Sequence, residues 1–134
     1  MALLVKKFGG SSVADAERVM HVAQTITEAY NDGHDVIVVV SAQGDTTDHL
    51  IEAAHVLNPN PSKREMDVLL ATGEQQSMAL LAMAIESLGF PVISLSGWQA
   101  GIETNSTHSA ARIRRINTER LHNELAKKNI VIVA

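Results

Sequence analysis

An α/β/α three-layer sandwich on a mainly parallel sheet is the fold class this sequence predicts, and three observations carry it. Four short runs, Ala2 to Val5, Val36 to Val40, Val92 to Leu95 and Ile130 to Val133, are continuously apolar rather than alternating. That is the pattern of strands covered on both faces of a parallel sheet. Helical periodicity fills the stretches between them, and glycine, serine, threonine and proline punctuate the joints.

After the first run, Val13, Ala16, Val19, Met20, Ala23, Ile26 and Tyr30 recur at near-3.6 spacing. They predict a helix with Ser12 as N-cap, Asp15 at its third position and Gly33 near its stop. With the second run this makes a right-handed β-α-β unit. Thr46 or Thr47 then caps a short helix through about Leu57, which Asn58-Pro59-Asn60-Pro61 breaks. Ser62-Lys63-Arg64-Glu65 is a capping box. It opens a long helix whose stripe is Met66, Leu69, Leu70, Gly73, Ser77, Leu80, Leu81, Ala84 and Leu88. Gly89-Phe90-Pro91 ends that helix and starts the third strand. Within residues 96 to 117, Gly97, Gly101 and Thr104 to Ser109 read as loop and Arg112 to Ile116 as a short strand. Thr118 to Lys128 forms the last helix, with Lys127 and Lys128 at its negative end. The fourth run stops at Ala134. A buried central strand rarely finishes a domain, and ligands in such sheets bind beyond the carboxyl ends of the strands. The expectation is therefore the first part of a longer domain, a piece that alone buries little surface and leaves a sheet edge open.

With 134 residues, 46% apolar and 19% charged, the chain is one globular domain or part of one. No apolar run approaches the roughly 20 residues that cross a bilayer, and the start lacks a signal-peptide layout. A cytoplasmic protein without a membrane partner is expected. The absence of cysteine excludes disulfides, thiolate zinc sites and thiol nucleophiles. The Asn105-Ser106-Thr107 sequon is expected to be accidental, because glycosylation needs a secretory route. A formal charge of -4, no basic block beyond pairs such as Lys63-Arg64, and 3% aromatic residues argue against a nucleic-acid partner. A small anionic ligand held by a few local groups stays open. The six histidines, at 21, 34, 49, 55, 108 and 122, show no i,i+4 pair. They read as surface or capping residues, and no metal site is expected. Met66, Met78 and Met83 read as core fillers.

Polar residues that could carry chemistry gather after the first two strands. In Lys7-Phe8-Gly9-Gly10-Ser11-Ser12, glycine flexibility, free N–H groups, a helix start and a lysine charge converge, which suits phosphate. The same residues also read as a tight turn with a solvated lysine, and the pattern leaves both open. Neither a Walker loop nor a dinucleotide glycine motif is present. Ser41 to Asp48 offers hydroxyls and a second helix start, although capping alone accounts for Thr46 or Thr47. Gly73 sits inside a helix, where it costs about 1 kcal/mol relative to alanine, so close approach by a neighbour or ligand is expected. Glu74, at the edge of the buried face, is either an exposed helix carboxylate or one aimed at a cationic group. Trp98 reads as a packed loop anchor or a cleft-lining residue.

Val5 to Val13, Val39 to Ala42 with Thr46-Thr47-Asp48, Arg64 to Asp67 with Leu70 to Glu74, and Gly97-Trp98-Gln99-Ala100-Gly101 together resemble the aspartate kinases of the amino acid kinase family. The resemblance covers essentially the whole chain, and Lys-Phe-Gly-Gly-Ser-Ser is its most specific motif. It implies the amino acid kinase (carbamate kinase-like) fold, with residues 1–134 as the N-terminal part of the catalytic domain. The nucleotide-base half, the Gly-Arg-Gly-Gly-Ser-Asp loop and the regulatory ACT domains would lie beyond Ala134.

The implied activity is ATP-dependent phosphorylation of the L-aspartate side chain to 4-phospho-L-aspartate, the first step of lysine, threonine and methionine biosynthesis. This piece alone is expected to be inactive. Lys7 is implied as the catalytic cation. Lys7, Phe8, Gly9, Gly10, Ser11 and Ser41 are implied at the ATP phosphate, and Ser41, Thr46, Thr47 and Glu74 at aspartate, Glu74 through the α-ammonium. Mg2+ would accompany ATP, and the full enzyme would be a homo- or hetero-oligomer. Gln75-Gln76-Ser77 stands where many relatives have Arg-x-Ser, a branch variation. The alternatives are a family member acting on a glutamate-like carboxylate, or a non-catalytic module binding aspartate or phosphate. A carboxyl of pKa about 4 is already ionised at neutral pH. The task is then to bring two anions together with positive charge and N–H donors, so neither a catalytic histidine nor paired carboxylates are expected.

Overall fold

In the computed structural model, which describes all 134 residues, the four apolar runs form one parallel sheet. Chain order is β1 (Leu3–Phe8), a 3-10 turn (Gly10–Val13), α1 (Ala16–Asn31), β2 (Asp35–Val40), α2 (Thr46–Leu57), α3 (Lys63–Ser87), β3 (Val92–Leu95), β4 (Ile102–Thr104), β5 (Ile113–Ile116), α4 (Glu119–Ala126) and β6 (Ile130–Val133). The sheet order is β1-β2-β6-β3, so the last strand inserts at the centre. β4 and β5 form a separate antiparallel hairpin.

Alternation along the strands splits the core in two. Val36, Val38, Val40, Ile130 and Ile132 face Val19, Val22, Ala23 and Ile26 of α1 and Met78, Leu81, Ala82 and Ile85 of α3. On the other face, Ile37, Leu95, Val131 and Val133 meet Leu125 of α4 and Ala100 in a smaller cluster. The layers are α1 with α3, the sheet, and α4. α2 contributes no buried residue and lies against α3.

The departures from expectation are local. β1 is not covered on both faces: it is an edge strand, and Leu3 and Val5 are 50% and 63% exposed. Ser12 is not the N-cap of α1. It lies in the 3-10 turn, and Asp15 caps instead, accepting from the Arg18 N–H at 2.8 Å. Asp45 holds the N-cap position of α2, with Thr46 and Thr47 as its first residues. Leu80 and Met83 point outward from α3. β4 falls where the sequence predicts no strand. Trp98 is no packed anchor, being 82% exposed. The Ser62 cap is as expected, its hydroxyl accepting from the Glu65 N–H at 3.2 Å. By length and composition alone α3 could cross a membrane, but it carries four charges in its first five residues and its carboxyl half packs in the core.

Candidate functional site at the carboxyl rim of the sheet

At the carboxyl end of β1 and β2, two loops lock together. The Ser41 N–H donates to the Phe8 carbonyl at 3.2 Å and the Gly44 N–H to the Gly10 carbonyl at 2.9 Å. The Gln43 side-chain amide donates to the Val13 carbonyl at 2.8 Å. The fit demands glycine at position 10, because a Cβ there would sit 2.6 Å from the Ala42 carbonyl oxygen. Gly9 is the reverse case: a Cβ would meet nothing within 4 Å. The N–H groups of Gly9 and Gly10 make no hydrogen bond within the chain, leaving two donors at the start of the 3-10 turn.

The third wall is α3. A Cβ on Gly73 would meet Ala42 Cβ at 3.2 Å, Thr46 Cγ2 at 3.3 Å and Leu50 Cδ1 at 3.4 Å. This is the close approach that a glycine inside a helix suggests. It seats the neighbouring Glu74 beside the start of α2. Glu74 is half-buried and forms no ion pair. Thr46, Thr47 and Ser41 are likewise half-buried.

Gly9, Gly10, Ser41, Thr46, Thr47 and Glu74 therefore share one rim. Lys7, near the carboxyl end of β1, lies on the other face of the sheet. By strand alternation it shares a face with Val5 and Ile37, exposed and without an ionic partner. Phe8 packs its ring against the α1 and α3 core, so only its backbone faces the rim. Ser11 is exposed, its carbonyl taken by the Arg18 guanidinium at 3.0 Å. A groove of about 580 Å³ on the α1 side of the turn is lined by Phe8, Ser11, Ser12, Arg18, His21 and Thr25, but not by Lys7, Ser41 or Glu74.

A sequence model of the amino acid kinase family matches residues 2–134. The chain belongs to the amino acid kinase family. Among its relatives, the aspartokinase of Geobacillus stearothermophilus is 52% identical over 134 residues, all of this chain and 33% of that protein. The aspartokinase of Mycolicibacterium smegmatis is 54% identical over the same span, 32% of its length. The chain thus spans about a third of these relatives. The solved aspartate kinase from Synechocystis superposes with a TM-score of 0.84 at 43% identity, covering 98% of this chain and 21% of that one. E. coli aspartokinase III, solved with aspartate and ADP, gives a TM-score of 0.78 at 19% identity over 99% of this chain and 40% of that one, and so shares its fold.

Outside the rim, sequence reasoning missed one cluster. Asp67 of α3 accepts from the Ser109 N–H at 2.9 Å and the Ser109 hydroxyl at 3.3 Å, with His108 Nδ1 at 3.3 Å. The Ser109 N–H, ahead of the other contacts, holds the Asp67 carboxyl below its ordinary value. The 42-position separation of Asp67 and Ser109 left no local signal for it.

Proposed function

We propose that this chain is the aspartate- and phosphate-binding part of an aspartate kinase, which transfers the terminal phosphoryl group of ATP to the side-chain carboxylate of L-aspartate. The observation that carries this is the packing of Gly10, the start of α2 and Gly73 into one unit, which seats unbonded N–H donors and an unpaired carboxylate at one rim. Relatives about 50% identical bear the name aspartokinase, and a protein of the same fold has been solved with aspartate and ADP.

The chemistry assigns each group a task. The substrate carboxylate is ionised at neutral pH and needs no base. The Lys7 ammonium and the Gly9 and Gly10 N–H groups offset the charge of the migrating phosphoryl group, with Phe8 and Ser11 shaping the turn through their backbone. Ser41, Thr46 and Thr47 orient the aspartate, and Glu74 accepts its α-ammonium. Mg2+ accompanying the nucleotide would supply further positive charge in this reaction. No three His, Asp or Glu side chains converge into a metal cage here. The whole enzyme is cytoplasmic and oligomeric and opens the route to lysine, threonine and methionine. The 134-residue chain alone does not turn over.

Steady-state kinetics of the complete enzyme test these roles. Lys7→Ala is expected to lower kcat roughly 100-fold or more with little change in aspartate KM. Glu74→Ala is expected to raise aspartate KM instead. An unchanged kcat removes Lys7 from its role. Faster phosphorylation of glutamate than aspartate would reassign the substrate within the family.

A further inference from the structure

We propose that Asp67 is a positioning residue, holding the β4–β5 hairpin as an arch over the Glu74 end of the crevice. This rests on the reading of Glu74 as the ligand for the aspartate ammonium.

The arch has two feet. One stands on the carboxyl rim of the sheet: the Gly97 N–H donates to the Ala134 carbonyl at 2.9 Å, and the Ile102 N–H, where β4 begins, to the Gly97 carbonyl at 2.9 Å. The other stands on α3. No residue of α3 before Gly73 is buried, so its amino-terminal part projects past the core. Asp67 lies there, seven residues before Glu74 and hence on the same helix face, about 10 Å further along the axis. The hairpin thus runs from the sheet rim to α3 about two turns before Glu74.

Apolar burial does not keep the tip in place. Residues 106–112 are exposed, as are Ile113 and Ile116 of β5. The loop is closed by Asn105, whose side-chain oxygen accepts from the Thr107 N–H at 3.2 Å and the Arg112 N–H at 3.3 Å. Ser109 adopts φ +62°, a left-handed conformation rare for serine, and in it directs its N–H onto Asp67. An uncommon backbone state, an ionised acceptor and a pre-folded neck all serve one long-range contact. A loop free to sample solvent needs none of them. Held down, the arch bounds the space beside Glu74, where a displacement of about 1 Å costs a bound group its alignment.

Titrating the complete enzyme with L-aspartate by calorimetry, with amide exchange read by mass spectrometry, tests the proposal, alongside D67A, D67N, S109G and E74A. Asp67→Ala is expected to weaken aspartate binding roughly tenfold or more. It should also free the Ser109 amide to exchange, while core amides such as Ile132 stay protected. Asp67→Asn, which keeps an acceptor for the Ser109 N–H, should recover most of the affinity. Ser109→Gly keeps that N–H and should bind like the parent. If Asp67→Ala binds within roughly twofold of the parent while Glu74→Ala abolishes binding, the arch is overturned and the role of Glu74 stands. If Glu74→Ala binds like the parent, or the parent takes no aspartate, the assignment of Glu74 fails and the arch fails with it.

Discussion

Ser77 holds a buried hydroxyl with no hydrogen-bond partner, on the α3 face that packs into the core. Burying an unpaired hydroxyl costs about 1–3 kcal/mol, and removing it leaves a hole of one oxygen atom. Ser77→Ala is therefore expected to raise stability by about 1 kcal/mol, read as a higher urea midpoint at unchanged slope. A lower midpoint would mean the hydroxyl has a partner in solution. Glu124 is the opposite case, a buried carboxylate with every neighbour supplied: Asn129 Nδ2 at 2.9 Å, Arg120 Nε at 3.1 Å and Lys127 Nζ at 3.4 Å. These donors, Asn129 first, hold its carboxyl below the ordinary 4.5. The unfolded chain then binds the proton more readily than the folded one. The stabilisation is complete above about pH 4.5 and is lost as pH falls through the lower folded value. The melting-temperature gap between the parent and Glu124→Gln should be widest at neutral pH and close on acidification. A gap that stays constant with pH would show that charge is not its cause.

Three helices end in one hydrogen-bond pattern. At α1 the Gly33 N–H reaches the Tyr30 carbonyl and the His34 N–H that of Ala29; at α3 Gly89 and Phe90 reach Glu86 and Ile85; at α4 Lys128 and Asn129 reach Leu125 and Glu124. The motif needs a left-handed residue, which is Gly33 at φ +90°, Gly89 at +88° and Lys128 at +67°. Only the lysine pays a Cβ penalty, so Lys128→Gly is expected to stabilise by about 1 kcal/mol in urea unfolding. No gain would show that the lysine side chain makes up the difference. Where glycine marks such a stop, the sequence discloses it, as at Gly33 and Gly89. Helix starts were less readable. Ser12 and Asp15 are both good caps, and the choice falls to Asp15 because Gly10, pressed against Ala42, winds residues 10–13 into a 3-10 turn first. β4 escaped notice because three residues with one apolar side chain carry no period, and its partner lies across a loop.

At the scale of the whole molecule, the sheet is covered unequally, and this is what composition could not express. Leu3 and Val5 are as apolar as Val36 and Val38, yet the first pair lies on an edge strand with no helix above it and the second at 0% exposure beneath α1 and α3. Strand identity is written in the residues, whereas coverage depends on which helices return to which face. The site divides the same way. Gly73 announced a close approach locally, but Asp67 and Ser109 met only through the fold. Threonine measures the asymmetry, because it keeps the β-branch and volume of valine and changes only polarity. Val38→Thr buries a hydroxyl among apolar neighbours and is expected to cost about 1–3 kcal/mol. Val5→Thr places it in solvent and should change stability by less than about 0.5 kcal/mol. Both are read from urea unfolding at two protein concentrations. Equal costs that rise with concentration would mean that the open face of β1 is buried by self-association, while equal costs independent of concentration would place another part of this chain over Val5.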